Sequence, residues 1–377
     1  MSRAFADETG GHGGDLARAA RLWNPADGKM LDFSSNINPL GPPPGLINVL
    51  RKALPEIVSY PSPQARELRE KLAQYLDVPM ERLLLGNGAN ELIHLLLLWR
   101  RPRRVLVPAP SFSEYERAAV LAGAPVERYP LPPGGEFDCH ALASKIERGD
   151  LLVFCNPNNP SGKLYRRSDL LPLIREAVRR GAAVMIDESF IPLTGHPEES
   201  LRDLQSEQLW VVLSLTKIWA LPGLRLGCAM GPVADVAKIS RWGDPWRVNN
   251  LAQKAGIYCI EKKGFLEKTL ALVEKERAFL ARRFQETGAF RVFEGAANFL
   301  LLQGLDPAFD VAFYQDYLAR RGVLIRRADN FCGLDRRYFR ISVRKRRENL
   351  RLLQETENFL KTMITAGAAG RTGGDHR

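Results

Sequence analysis

Cysteine is scarce in this chain of 377 residues: there are five, at 139, 155, 228, 259 and 332, an odd number with no CxxC pair. That excludes a disulfide framework and offers no thiolate metal site. No stretch approaches the roughly 20 apolar residues that a helix needs to cross a bilayer. The opening MSRAFADETGGHGGD lacks the apolar centre of a secretory signal. The expectation is a cytoplasmic protein with no membrane contact and no metal. There is no internal repeat, and no helix-turn-helix, zinc-finger or aromatic RNA-binding signature, so nucleic acid is not an expected partner. Acidic residues are outnumbered, 43 against 54 basic ones, for a formal net charge of +11. Between Arg320 and Arg347 stand eleven basic residues and only two acidic ones, Asp329 and Asp335. A solvated basic face would explain the run. So would a small phosphorylated substrate, because guanidinium forks suit phosphate and carboxylate.

What is present reads as an ordinary globular chain, 45% hydrophobic and 26% charged. Its length allows one large α/β domain and a smaller one. Residues 1–45, rich in Gly, Pro and Asn, are expected as an extended N-terminal arm that reaches the active site and the small domain. Residues 46–260 are expected as the large domain. There the apolar runs VLVP, DLLVFC, AAVMID, LWVVLS and LGCAMG alternate with amphipathic helical patterns near 112–122 and 168–180. Such alternation argues for a mainly parallel sheet covered by helices on both faces. Residues 261–365 are expected as a smaller α+β domain built on FRVF, NFLLLQ, VLIR and YFRISV, with a helix near 309–320 and another ending near 363. The tail from 366 to 377 is expected to be disordered.

Four segments carry chemistry. In SLTKIWALPGLRLG, Lys217 follows directly after an apolar strand, with Ser214 three residues before it and Arg225 eight after it. A lysine at a sheet edge can be partly desolvated, which lowers its pKa and favours covalent attachment to an aldehyde. The plain alternative is a surface lysine in a polar turn. In NPNNPSG, two Asn-Pro pairs set a rigid turn at the carboxyl end of a strand, where ligands bind in open α/β sheets. In AAVMIDESF, Asp187 ends an apolar strand, a costly place for a carboxylate without a cation. In LGNGANELI, a strand, a Gly-rich turn and a helix start form a potential anion site.

Together and in this order the four resemble the fold-type I class I/II aminotransferase family, over nearly the whole chain. The resemblance implies pyridoxal 5′-phosphate as cofactor and the following roles. Lys217 would carry it covalently and shuttle protons, and Asp187 would pair with its ring nitrogen. Asn159 would hydrogen-bond the ring oxygen, and Phe112, in PAPSFSEY, would stack on the ring. Gly88, Ala89 and Asn90, with Ser214, Thr216 and Arg225, would hold its phosphate. Tyr60, in SYPSPQ, would reach the cofactor of a neighbouring subunit, so a homodimer is implied. Arg340, in YFRISV, would receive the substrate's α-carboxylate. The sequence departs from the family at Phe190, three residues after the aspartate, where a tyrosine is common.

Two branches of the family are similar. Histidinol-phosphate aminotransferases share the SYP turn and a segment like GVLIR, which holds Arg326. L-Threonine-O-3-phosphate decarboxylases of cobalamin biosynthesis share more: an H-G-G motif, matched by His12, Gly13 and Gly14, and a D-F-S-x-N-I-N-P-L-G segment, matched from Asp32 to Gly41. The resemblance therefore implies decarboxylation of a small phosphorylated amino acid, with transamination as the alternative. His12, Arg326 and Lys163 are the candidates for gripping the substrate's phosphate, with Asn38 shaping the same pocket and Gly13 and Asn159 as further substrate contacts. Regulators that use this fold as a cofactor sensor need a DNA-binding domain, and the roughly 60 residues ahead of the core contain none.

Overall fold

The computed structural model describes residues 13–26 and 28–372. Its centre is a seven-stranded sheet of β2 (Leu83–Gly86), β3 (Arg104–Ala109), β4 (Val126–Pro130), β5 (Asp150–Cys155), β6 (Ala183–Asp187), β7 (Leu209–Ser214) and β8 (Gly227–Met230), in the order β2-β8-β7-β6-β5-β3-β4. All neighbours run parallel except β8, which is antiparallel to both β7 and β2. The apolar runs account for this. Along β5, Leu151, Val153 and Cys155 enter one core cluster while Leu152 and Phe154 enter the opposite one. Both faces are thus buried, as continuous apolar strands require. β4 went unforeseen because VERYP is a partly exposed edge with no apolar run.

A second sheet is antiparallel throughout: β9 (Phe290–Val292), β10 (Phe299–Gly304), β12 (Arg326–Arg327) and β13 (Tyr338–Ser342), ordered β12-β13-β10-β9. VLIR, expected as one strand, is divided. Its first half, β11 (Val323–Leu324), pairs in parallel with β1 (Leu31–Asp32) of the arm, and only its end joins the second sheet. The arm is also less extended than expected, with a helix at Leu16–Trp23. This helix is tied down by Trp23, whose indole N–H donates to Asp316 at 2.9 Å. The closing helix runs Arg346–Thr372, through residues expected to be disordered.

The basic run from 320 to 347 does not form a bare cationic face. Arg320 pairs with Asp316, Arg321 with Glu355, Arg327 with Asp329, Arg337 with Asp335, Arg344 with Glu348 and Arg346 with Glu276. Arg326 and Arg340 instead point inward and are buried. Among the described residues, no helix is long and apolar enough to cross a membrane.

Candidate functional site

Strand direction gathers the chemistry on one edge. β2, β3, β5, β6 and β7 all end there, and β8, being antiparallel, begins there, with Gly227 opposite both Ser214 and Gly86. The turns that follow those ends and the one that precedes β8 bring Asn90, Phe112, Asn159, Asp187, Lys217 and Arg225 to one cavity of about 400 Å³. Arg326 and Arg340 reach it from the second sheet, and Gly13 and Ser34 from the arm.

Lys217 lies in the single helical turn Leu215–Ile218 after β7 and is only partly exposed. Burial, with the charges of Arg225 and Arg340 behind it, pushes its amine down to about 8, against the pull of Asp187. Asp187, the last residue of β6, accepts from the Tyr115 hydroxyl at 2.7 Å and from the Ser189 amide at 2.9 Å. Tyr115 was not foreseen. It is wholly buried, and its hydroxyl is held protonated by that burial and by Asp187, so it serves as a donor. Phe112 meets the Tyr115 ring edge-on at 5.5 Å and walls the same space. Phe190 lines it too and packs edge-on against Phe299 at 5.0 Å.

The turn after β5 divides its asparagines by task. Asn156 is bonded through its side chain to Tyr165, and Asn158 to Pro110 and Ser161, so both are consumed in holding the turn. Asn159 is left facing the cavity, where its side-chain oxygen accepts from Arg340. Across the cavity, Gly88 caps the helix Ala89–Arg100, whose first N–H groups have no acceptor within the helix. The Ser214 and Thr216 hydroxyls bond each other at 2.8 Å beside it. Gly88 has φ +87°, and a β-carbon there would lie 2.6 Å from a nitrogen of Arg225. The Asn90 side-chain oxygen is buried without a partner.

Arg326 and Arg340 are direct partners across the β12–β13 ladder. Burial lowers both, Arg340 to about 9 with Arg326 adding repulsion, and Arg326 to about 10. Both remain cationic at neutral pH. Arg340 donates to the Ser34 carbonyl at 3.0 Å, and its Nε is buried without a partner. Ser34 in turn is stapled by Asp32, which accepts from its amide and hydroxyl at 2.7 and 2.6 Å. The Ser34 hydroxyl receives the Gly14 amide at 2.9 Å, and Gly13 presses so closely that a β-carbon would sit 2.4 Å from the Ser34 carbonyl oxygen. The two arm motifs are therefore one structure.

Not every expected residue arrives. His12 lies outside the described residues. Neither Asn38 nor Lys163 lines the cavity. The Asn38 side chain is buried and donates to the Ile218 carbonyl at 2.6 Å and the Thr269 hydroxyl at 2.9 Å, so it braces the Lys217 turn from behind. Asn36, two residues earlier, lines the cavity instead, with its side-chain oxygen buried and unpartnered. Tyr60 stands away from this cavity, 81% exposed and 4.8 Å from the ring of Trp246. Among the described residues, no group of three or more His, Cys, Asp or Glu could hold a metal ion.

Residues 28–355 match the model of the family described as aminotransferase class I and II. The chain is 33% identical over 359 residues to the threonine-phosphate decarboxylase of Salmonella typhimurium, a match covering 94% of this chain and 98% of that one. It is 36% identical over 330 residues to the histidinol-phosphate aminotransferase of Symbiobacterium thermophilum, covering 86% and 89%. The crystal structure of the histidinol-phosphate aminotransferase from Clostridium acetobutylicum matches with a TM-score of 0.82 at 30% identity, over 88% of this chain and 100% of that one.

Proposed function

The chain belongs to the aminotransferase class I and II family and is a pyridoxal 5′-phosphate enzyme; from that premise we propose that it decarboxylates L-threonine O-3-phosphate. The products would be (R)-1-amino-2-propanol O-2-phosphate and CO2, in cobalamin biosynthesis. The carrying observation is the adjacent pair Arg326 and Arg340, two buried cations side by side in the cavity. Such a pair calls for two anions close together, because a buried charge is costly without one. Phosphothreonine carries a carboxylate and a phosphate on neighbouring carbons, whereas histidinol phosphate carries one anionic group. The stapled arm, which brings Gly13, Ser34 and Asn36 to the same cavity, supports the same reading. The aminotransferase reading keeps one support: the glutamate that such enzymes use also carries two anions.

The residues present fit the cofactor. The lowered Lys217 amine suits covalent attachment to its aldehyde, and Asp187 suits its ring nitrogen. Asn159 would meet the ring oxygen and Phe112 the ring face. Gly88, Ala89, Asn90, Ser214, Thr216 and Arg225 would form a cradle for its phosphate, offering the free N–H groups of the helix start, two hydroxyls and a guanidinium beside a glycine that a β-carbon would fill. When bound, the cofactor draws electrons from the substrate's α-carbon and weakens the bond held perpendicular to its ring. In this proposal Arg326 holds the phosphate and Arg340 the carboxylate, which orients the bond to be broken. Lys217, once freed, donates the proton that replaces CO2 at the α-carbon. Tyr115 keeps the Asp187 carboxylate aimed. The working form would be a cytoplasmic homodimer in which Tyr60 completes the neighbour's site. Exposed Ile47, Leu54, Ile57 and Val58, leading up to that tyrosine, support such an interface.

Two outcomes follow for cofactor loading. Because the Lys217 amine is lowered to about 8, the rate at which the apoenzyme attaches the cofactor should rise about tenfold per pH unit below pH 8 and level off above it. An ordinary lysine would keep the rate climbing towards 10.5; stopped-flow absorbance separates the two. Gly88→Ala should weaken cofactor retention by at least roughly tenfold, since it forces an unfavourable backbone angle and displaces Arg225. Equilibrium dialysis of the variant measures this. The reaction itself is tested by giving the loaded enzyme L-threonine O-3-phosphate without any keto acid and measuring CO2. A parallel sample receives histidinol phosphate and 2-oxoglutarate. CO2 in proportion to substrate supports the proposal; glutamate formation with no CO2 refutes it.

A further inference from the structure

Beside Arg326 lies a short segment that the proposed reaction leaves unused. From Ala328 to Leu334 the chain makes a tight turn, closed by the Phe331 amide on the Ala328 carbonyl at 3.1 Å and the Leu334 amide on the Phe331 carbonyl at 3.0 Å. Ala328, Phe331 and Leu334 pack with Phe293, Leu301 and Tyr338 into a small apolar cluster of their own. The turn is therefore anchored rather than loose. Two of its side chains hold Arg326. The Asn330 side-chain oxygen accepts from the guanidinium at 3.0 Å, and the Phe331 ring lies under it at 5.0 Å while also walling the cavity. A third hold comes from the Arg327 carbonyl, which accepts from the other terminal nitrogen.

We propose that Asn330 and Phe331 set the side-chain length this site accepts: Asn330 fixes the Arg326 fork, and Phe331 closes the cavity beside it. The inference rests on the phosphorylated amino-acid reading above. The physical argument concerns reach. Arg326 and Arg340 are cross-strand neighbours, and side chains so placed start only about 5 Å apart. An arginine free at its tip could swing to follow a phosphate carried on a longer side chain. This one cannot swing without giving up a charge-assisted bond and the face of an aromatic ring. With the Phe331 ring under the fork and walling the same cavity, a longer side chain would have to displace that ring. Asn330 is thus a positioning residue, acting through Arg326, and Phe331 is a steric gauge.

The test uses a ladder of phosphono amino acids whose side chain lengthens by one methylene at a time, titrated into the cofactor-loaded enzyme and followed by cofactor absorbance. The native enzyme should bind the short members and lose roughly 10- to 200-fold in affinity once the length limit is passed. Phe331→Ala should flatten the ladder by gaining affinity for long members. Phe331→Leu, which keeps most of the apolar volume, should flatten it partly and serves if the alanine variant does not fold. Asn330→Ala should raise KM for L-threonine O-3-phosphate about tenfold while kcat stays within about threefold, the split expected when only the binding fork is loosened. Variants that weaken every member equally and keep the native cut-off would overturn the proposal while leaving the substrate class intact. A native enzyme that binds no member of the ladder would overturn the substrate class, and the gauge with it.

Discussion

Lys217→Ala should abolish covalent attachment of the cofactor and lower turnover by at least about 10³-fold. In the proposed reaction two functions are lost together, the covalent anchor and the proton donor at the α-carbon, and a positioned acid or base alone contributes about 10²- to 10⁴-fold. The cofactor should still bind, because the cradle at Gly88–Asn90, the Ser214–Thr216 hydroxyl pair and the Asp187 carboxylate do not depend on the lysine. Borohydride reduction followed by peptide mass spectrometry checks this. The native enzyme should gain the cofactor's mass on the peptide holding Lys217, and the variant should gain none. Stability should not suffer, since the change removes an amine that burial already disfavours as a charge. A variant that retained turnover would place the reacting lysine elsewhere.

Arg340→Gln should lower kcat/KM for L-threonine O-3-phosphate by roughly 30-fold to a few thousand-fold, the range for removing one member of a buried charge pair. The informative control is the proposed product, which keeps the phosphate but has lost the carboxylate. Its affinity should change little in Arg340→Gln and fall sharply in Arg326→Gln, because Arg326 is the proposed phosphate holder. Competition titrations on both variants separate the two roles. The reverse pattern would exchange the assignments of the two arginines. Equal losses in both variants would mean that the cross-strand pair acts as one undivided anion site.

Much of this site was legible because its residues sit at strand ends, and strand ends are what apolar runs reveal. DLLVFC, AAVMID and LWVVLS became β5, β6 and β7 within a residue, and so Asn159, Asp187 and Lys217 fell on one edge. Arg225 joined them for a reason no periodicity could supply: β8 runs antiparallel and brings its beginning, not its end, to that edge. The arm was harder. Asn36 and Asn38 are both amides in a coil without regular alternation. Only the fold shows that Asn38 is spent on Ile218 and Thr269 while Asn36 faces the cavity. Tyr115 sits within the helical pattern beside Phe112 and reads there as a core residue. Its bond to Asp187 joins positions 72 apart in the chain, a separation that local pattern does not register. Composition alone did not show that most of the run's arginines find acidic partners, several of them outside the run.

The central claim is that the bond broken at the α-carbon is the one to the carboxylate. Its most direct test is a single turnover of L-threonine O-3-phosphate, labelled with carbon-13 in the carboxylate, in heavy water without a keto acid, followed by NMR. The account predicts that the label leaves wholly as carbon dioxide and bicarbonate, and that the amine product carries one deuterium on the carbon that bore the carboxylate. Substrate recovered with its labelled carboxylate in place and deuterium at the α-carbon would contradict it, because the bond to hydrogen would then be the one this site weakens.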